Sequence, residues 1–198
     1  MADAFDIEEV PEGKIARFHY EEQYSEMMQE YLQELRSRGI PAPTDGFDVP
    51  YPDRLTSATV TDDDVEDWLR RISFGKDTVR LLMDAGARYI GAVEIWPTRT
   101  EQGVLQMWTV GVSMMIRWDD LVRFLDEMSA ESDEYFNIEA IRIVNQNLNQ
   151  PATAPLQVEM VFTRADYDET GRPGMQQQQQ PPFMMGGGGG GGFSFPGM

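Results

Sequence analysis

Residues 104–117, VLQMWTVGVSMMIR, run straight into residues 118–128, WDDLVRFLDEM, and the period of the apolar residues changes at the join. In the first segment Val104, Trp108, Val110, Val112, Met114 and Ile116 fall on one face, with Met107, Thr109, Ser113 and Arg117 on the other. A repeat of two is that of a half-buried strand. In the second segment Leu121, Val122, Leu125 and Met128 recur at helical spacing, behind Asp119 and Asp120, whose charge suits the positive end of a helix. A long strand followed at once by an amphipathic helix predicts a helix layered on a sheet.

Reading outward, residues 135–144 (YFNIEAIRIV) predict a strand whose apolar parity shifts between Ile138 and Ile141, as a bulge would cause. Asn145 to Pro155 reads as a polar turn, and residues 156–163 (LQVEMVFT) as a further strand with Leu156, Val158, Met160 and Phe162 on one face. Upstream, residues 88–96 (RYIGAVEIW) predict a strand stopped by Pro97, with hairpin-loop composition from Thr98 to Gly103. Before it, Thr61 is placed to cap a helix whose first turn is Asp62, Asp63 and Asp64. Its apolar face is Val65, Trp68, Leu69, Ile72, Val79, Leu82 and Met83; Gly86 would cap its end, and Gly75 is expected to kink or split it. The order α-β-β-α-β-β predicts an α+β domain over 61–167: a four-stranded antiparallel sheet with two helices on one face. That is a ferredoxin-like plait entered at a helix.

The flanks differ. Residues 1–18 are acidic, contain Pro11 and Gly13, and read as an irregular leader that frays. Residues 19–38 predict an amphipathic helix with Tyr24, Met28, Tyr31 and Leu35 in one stripe, ended by Gly39 and Pro41. The stripe suits either packing within the chain or a coiled-coil seam for another chain's helix. Residues 39–60, with Pro41, Pro43, Pro50, Pro52 and Asp45-Gly46, read as a linker or a strap across a surface. Residues 168–198 form a tail of five consecutive glutamines, paired prolines and seven consecutive glycines, with too little apolar surface to offset ordering.

The composition excludes several classes of function. A formal net charge of -18 opposes nucleic acid, whose binders need Lys and Arg to displace counterions, and opposes adsorption to anionic lipid. With no cysteine there is no thiolate nucleophile and no sulfur-ligated metal. No apolar run reaches the roughly 18–20 residues of a membrane span, so direct membrane contact is not expected of the chain as written.

Candidates for chemistry are few. His19, the only histidine, lacks partners for a ligand set and reads as a solvated helix-start residue. Asp62, Asp63 and Asp64 lack the spaced pattern of a calcium loop. Glu94 and Glu159 could pair as acid and base, but their phase sets them opposite the core. No phosphate cradle or nucleophile elbow is present, so no catalytic residue, metal or cofactor is expected.

Asp67 to Asp166 resembles the periplasmic domain of PilO-like proteins, inner-membrane assembly components of type IV pilus and type II secretion machines, in the branch found in planctomycetes and verrucomicrobia. The likeness rests on DWLRRISFGKDTVRLLMDAGARYIGAVEIW (67–96), VGVSMMIRWDDLVRFLDEMSAESDEYFNIEAIRIVNQ (110–146) and LQVEMVFTRAD (156–166). It implies a non-enzymatic scaffold that pairs, through coiled coil and plait, with itself or a sister assembly protein in the periplasm. The Tyr24 to Leu35 helix would then be what remains of the coiled-coil arm. The family's transmembrane helix has no counterpart here, which leaves either a fragment or a soluble, even cytoplasmic, member. Met107, Met115 and Val161, apolar on the face away from the core, join the Tyr24, Met28, Tyr31, Leu35 stripe as expected partner contacts. The alternative is a stand-alone plait of the small-molecule sensor or acylphosphatase type, for which the 98–103 loop offers Arg99 and no cradle.

Overall fold

The alternation in the central segment produces a twelve-residue strand, and every other strand is placed relative to it. The computed structural model describes residues 5, 7–43, 47, 49–55, 60–101, 105–130, 136–144 and 154–167. In chain order these form α1 (Ala16–Ser37), α2 (Asp62–Asp84), β1 (Tyr89–Ile95), β2 (Arg99–Glu101), β3 (Leu105–Ile116), α3 (Trp118–Ala130), β4 (Phe136–Val144) and β5 (Leu156–Tyr167), with one 3₁₀ turn at Pro52–Arg54. The expectations for Val104, for Asp45-Gly46, for most of the Asn145 to Pro155 turn and for the 168–198 tail lie outside the described residues.

The sheet is antiparallel in the order β1-β3-β5-β4, with β2 also paired to β3. β3 and β5 pair over their whole lengths, from Leu105 opposite Tyr167 to Ile116 opposite Leu156. Trp108, Val110, Val112, Met114 and Ile116 share a buried face with Val158, Met160 and Phe162. The parity shift in β4 is a register shift between Ile138 and Ala140, and β1 has another between Ile90 and Ala92. Pro97 ends the strand as expected, but the edge resumes beyond it. β1 and β2 both pair with β3, so Trp96, Pro97 and Thr98 interrupt one edge, where a residue without an N–H cannot join the ladder.

α2 lies on the apolar face of this sheet, and its start is fixed by a capping box. The Thr61 hydroxyl accepts from the Asp64 N–H at 3.2 Å, and the Thr61 N–H donates to the Asp64 carboxylate at 3.1 Å. α1 and α2 end alike: Gly39 and Gly86 take positive φ of 70° and 101°, and the next N–H returns to the carbonyl of Leu35 or Leu82 at 2.9 Å.

Gly75 does not kink α2, which runs unbroken from Asp62 to Asp84. It is a point of close approach instead. A Cβ there would lie 2.8 Å from Cδ1 of Ile95 on β1 and 3.0 Å from the Phe47 ring. Helix periodicity alone shows a missing side chain and cannot show that two neighbours fill its place.

The N-terminal helix is no free arm. α1 packs along α2 in parallel, because Glu30, Glu34 and Arg38 meet Lys76, Arg80 and Asp84 in that order. Parallel neighbours need a return segment, and the Pro-rich stretch supplies it. Phe47 packs on Tyr31 with ring centroids 4.9 Å apart, Tyr51 lies near Tyr24 at 6.3 Å, and the Tyr20 hydroxyl donates to the Pro50 carbonyl at 2.7 Å. The leader is irregular, but its described part is held down: Phe5 is buried against Trp108 at 4.7 Å, with the Arg164 guanidinium over its ring.

Leu35 is fully buried where α1 meets the rest of the core, so Leu35→Ala should cost about 2–5 kcal/mol in urea unfolding, independent of protein concentration. A stripe reserved for another chain would make that loss vary with concentration. Gly75→Val should cost about 1–3 kcal/mol by overpacking against Ile95 and Phe47, although leaving glycine in a helix interior ordinarily gains stability.

Candidate protein-interaction surface

The expected contact residues are distributed very unevenly. Tyr31 and Leu35 are buried, and Tyr24 and Met28 are half-buried against the same core, so the stripe is spent inside the chain. The Tyr20 and Tyr31 hydroxyls are both pushed up from the usual tyrosine pKa by burial. Of the three residues on the far sheet face, Val161 is 2% exposed, which corrects its reading as an exposed contact. It sits mid-sheet between Gly111 and Ala140, flanked by buried Thr109 and Thr163. Met107 is half-buried beside Arg99, and only Met115 is exposed, opposite the exposed Tyr89.

A larger apolar surface lies elsewhere, on the flank of α3 and along β4. α3 turns Leu121 and Phe124 inward, with the Phe124 ring 6.4 Å from that of Phe162. A Cβ on Gly86 would lie 3.2 Å from the Asp120 carboxyl carbon, so the Asp120 side of α3 faces the end of α2. At 100° per residue, Trp118, Val122 and Leu125 are carried on the opposite flank, toward β4. Among the described residues β4 pairs only with β5 and is an edge. Ile141 and Ile143 stand opposite Met160 and Val158, on the helix side of the sheet. Trp118 is 50% exposed, Ile141 39%, Ile143 43% and Val122 37%. Helix and edge strand thus border one apolar trough. The sequence places Val122 in one helical stripe with Leu121, Leu125 and Met128, whereas the structure leaves it exposed. The available signal was the excess of apolar positions: Trp118, Val122 and Leu125 form a second stripe beside Leu121, Phe124 and Met128, and one helix face on one sheet uses only one.

The candidates for chemistry are placed in structural roles. His19 is buried, contrary to its reading as solvated, and its Nε2 lies 3.0 Å from the Glu8 carbonyl, a bond that ties the leader to α1. Asp62, Asp63 and Asp64 form the first turn of α2. Glu94 and Glu159 are on β1 and β5 with β3 between them, and Glu159 pairs with Arg142 at 3.3 Å. Among the described residues no group of three His, Asp or Glu side chains could hold a metal ion, and no helix is long and apolar enough to cross a membrane. At the β1–β2 break, the Thr98 hydroxyl donates to Asp67, and Arg71 reaches both Asp67 and the Ile95 carbonyl. Burial raises the Asp67 carboxyl above the usual range, against the opposing pull of Thr98 and Arg71.

No protein-family model matches the sequence, and no curated protein matches it. Solved structures do. A protein from Akkermansia muciniphila gives a TM-score of 0.55 at 11% identity, over 80% of this chain and 81% of its own. An Akkermansia muciniphila structure without its transmembrane region gives 0.57 at 9% identity, over 77% of this chain and 88% of that one. The type 4 fimbrial biogenesis protein PilO from Pseudomonas aeruginosa matches at 0.39 and 15% identity, over 47% of this chain and 65% of that one, so this chain spans only part of that protein. At these identities the likeness to the two Akkermansia muciniphila structures speaks of fold alone.

Asp67 gives a pH test. A carboxyl whose pKa is raised by folding favours the folded state below its unfolded pKa and loses that contribution as pH rises through the folded value. Asp67→Asn removes this titration. Relative to the unaltered protein, the variant should therefore gain stability as pH rises from the ordinary aspartate pKa of about 3.9 through the raised value of the folded state, as measured by urea unfolding at each pH.

Proposed function

We propose that this chain is a non-enzymatic protein–protein assembly module of the PilO kind, acting as a homo- or heterodimeric scaffold on the periplasmic side of a pilus-type machine. The strand order β1-β3-β5-β4, with helices α2 and α3 taken on one face, supports reading the domain as a ferredoxin-like plait entered at a helix. In this reading the plait spans 61–167, and α1 with its return strap is a third layer of the plait, not a separate arm. The setting is that of the PilO-like family whose periplasmic domain the 67–166 stretch resembles in sequence.

The observation that carries the proposal is the trough between α3 and β4. Four large apolar side chains, Trp118, Val122, Ile141 and Ile143, are exposed beside a strand edge whose outer N–H and C=O groups have no ladder partner among the described residues. A contiguous apolar surface next to an unpaired edge is costly for a protein that works alone, since it invites aggregation. A scaffold has a use for it. Catalysis has no comparable support, because the acidic residues that might have formed a pair are separated by a strand.

Light scattering on gel-filtered full-length protein tests the reading, alone and after chemical cross-linking in its host's periplasm. The expected outcome is a mass near twice that of the 22.5 kDa chain, or a stoichiometric complex with a second protein. A strict monomer at high micromolar concentration that retains no partner would overturn it.

A further inference from the structure

We infer that the slot filled by Phe5 at one end of the core is a receptor for an aromatic group that carries a carboxylate, with the leader holding the place until such a ligand displaces it. The slot lies toward the opposite end of β3 from Trp118 and does not depend on the assembly reading.

The filling is removable. Phe5 is buried, its ring 4.7 Å from that of Trp108 and 6.5 Å from that of Phe74, with the Arg164 guanidinium carbon 4.7 Å from its centre. These walls belong to α2, β3 and β5, whereas Phe5 belongs to a leader that has no helix or ladder of its own among the described residues. Beyond Phe5, the leader is held by the Glu8 carbonyl at His19 and by half-buried Ile7 and Val10. The ring can therefore leave without breaking a helix or a strand.

The filling is also chemically incomplete. Trp108 is 3% exposed, and its indole N–H is buried with no acceptor. Arg164 stands directly opposite Trp108 in the β3–β5 ladder, so both side chains rise from the same face of the sheet. The Arg164 guanidinium lies over the Phe5 ring and forms no ion pair among the described residues. Two neighbouring donors thus surround a phenyl group that has no acceptor to offer, and a buried donor left unmatched is costly.

These donors select the ligand. A phenyl ring with a carboxylate beside it would keep the contacts of Phe5 with Phe74, Trp108 and the guanidinium, and would add a charged acceptor for both donors. A neutral ring gains nothing over Phe5, and a cation would face Arg164. While Phe5 is in place a ligand meets only the open fraction of molecules, which lowers its apparent affinity by that fraction.

The test uses the full chain and its Phe5→Ala variant. The probes are N-acetylphenylalanine, its amide, which lacks the charge, and N-acetylalanine, which lacks the ring. Binding is read by titration calorimetry and by the urea midpoint, which Phe5→Ala lowers through the cavity it leaves and which a bound probe raises. N-acetylphenylalanine should bind Phe5→Ala at least about tenfold tighter than it binds the parent, and at least about tenfold tighter than either other probe does. In the Phe5→Ala background, Trp108→Phe, which keeps a ring and removes the N–H, and Arg164→Gln should each cost at least about fivefold. If Phe5→Ala does not fold, Phe5→Leu takes its place with the same expected order.

Equal binding of acid and amide, no binding to the folded variant, or indifference to both Trp108→Phe and Arg164→Gln would overturn the inference. A short peptide with Phe at its free carboxyl end separates the sources. Binding tighter than that of N-acetylphenylalanine assigns the slot to the chain end of a partner, weaker binding assigns it to a small aromatic acid, and either supports the site. The assembly reading is judged separately, by particle mass.

Discussion

α2 is buried on two sides, and the rest of the molecule is arranged around that requirement. One side supplies Leu69, Ile72, Val79 and Leu82 to the core over the sheet, while Gly75 lets Ile95 and Phe47 come close from different directions. A helix of 23 residues covered on one side only would leave much of its surface to solvent. α1 and the strap remove that exposure. The strap returns along α1, with Phe47 on Tyr31 and Tyr51 near Tyr24, and its prolines suit a path outside regular structure by lacking a donor that would otherwise need a partner.

Much of the fold was legible because two periods are written plainly. The alternation at Trp108, Val110, Val112, Met114 and Ile116 could serve only one sheet face, and the spacing of Leu121, Val122, Leu125 and Met128 marked a helix after it, although Phe124 rather than Val122 is what that helix buries. Even the bulge near Ala140 was marked, since a parity change within an apolar run has few other causes. Other features depend on partners distant in sequence. Periodicity does not reveal that Gly75 faces Ile95, that Phe5 inserts beside Trp108, or that His19 turns inward to Glu8. The short strand Arg99–Glu101 was hidden because its composition is that of a loop and only its ladder with β3 makes it a strand.

The interaction surface was the least legible part, for a related reason. Exposure is a property of what fails to pack on a residue, and sequence records only what could. Val161 and Ile143 are both β-branched residues in strands, yet the first is buried in mid-sheet and the second stands open on an edge. Strand order separates them, and strand order is decided by all the crossovers together. The Tyr24, Met28, Tyr31, Leu35 stripe shows the converse: a pattern fit for another molecule's helix is satisfied at home, because parallel packing on α2 and the returning strap already cover it.

The parallel course of α1 and α2 has a mechanical consequence. Tension applied along the axis of α1 from its amino end would slide the helix lengthwise over its neighbour, loading the Glu30–Lys76, Glu34–Arg80 and Arg38–Asp84 links simultaneously. Contacts strained in concert resist better than contacts peeled off one by one, so pulling from this end meets all three links together.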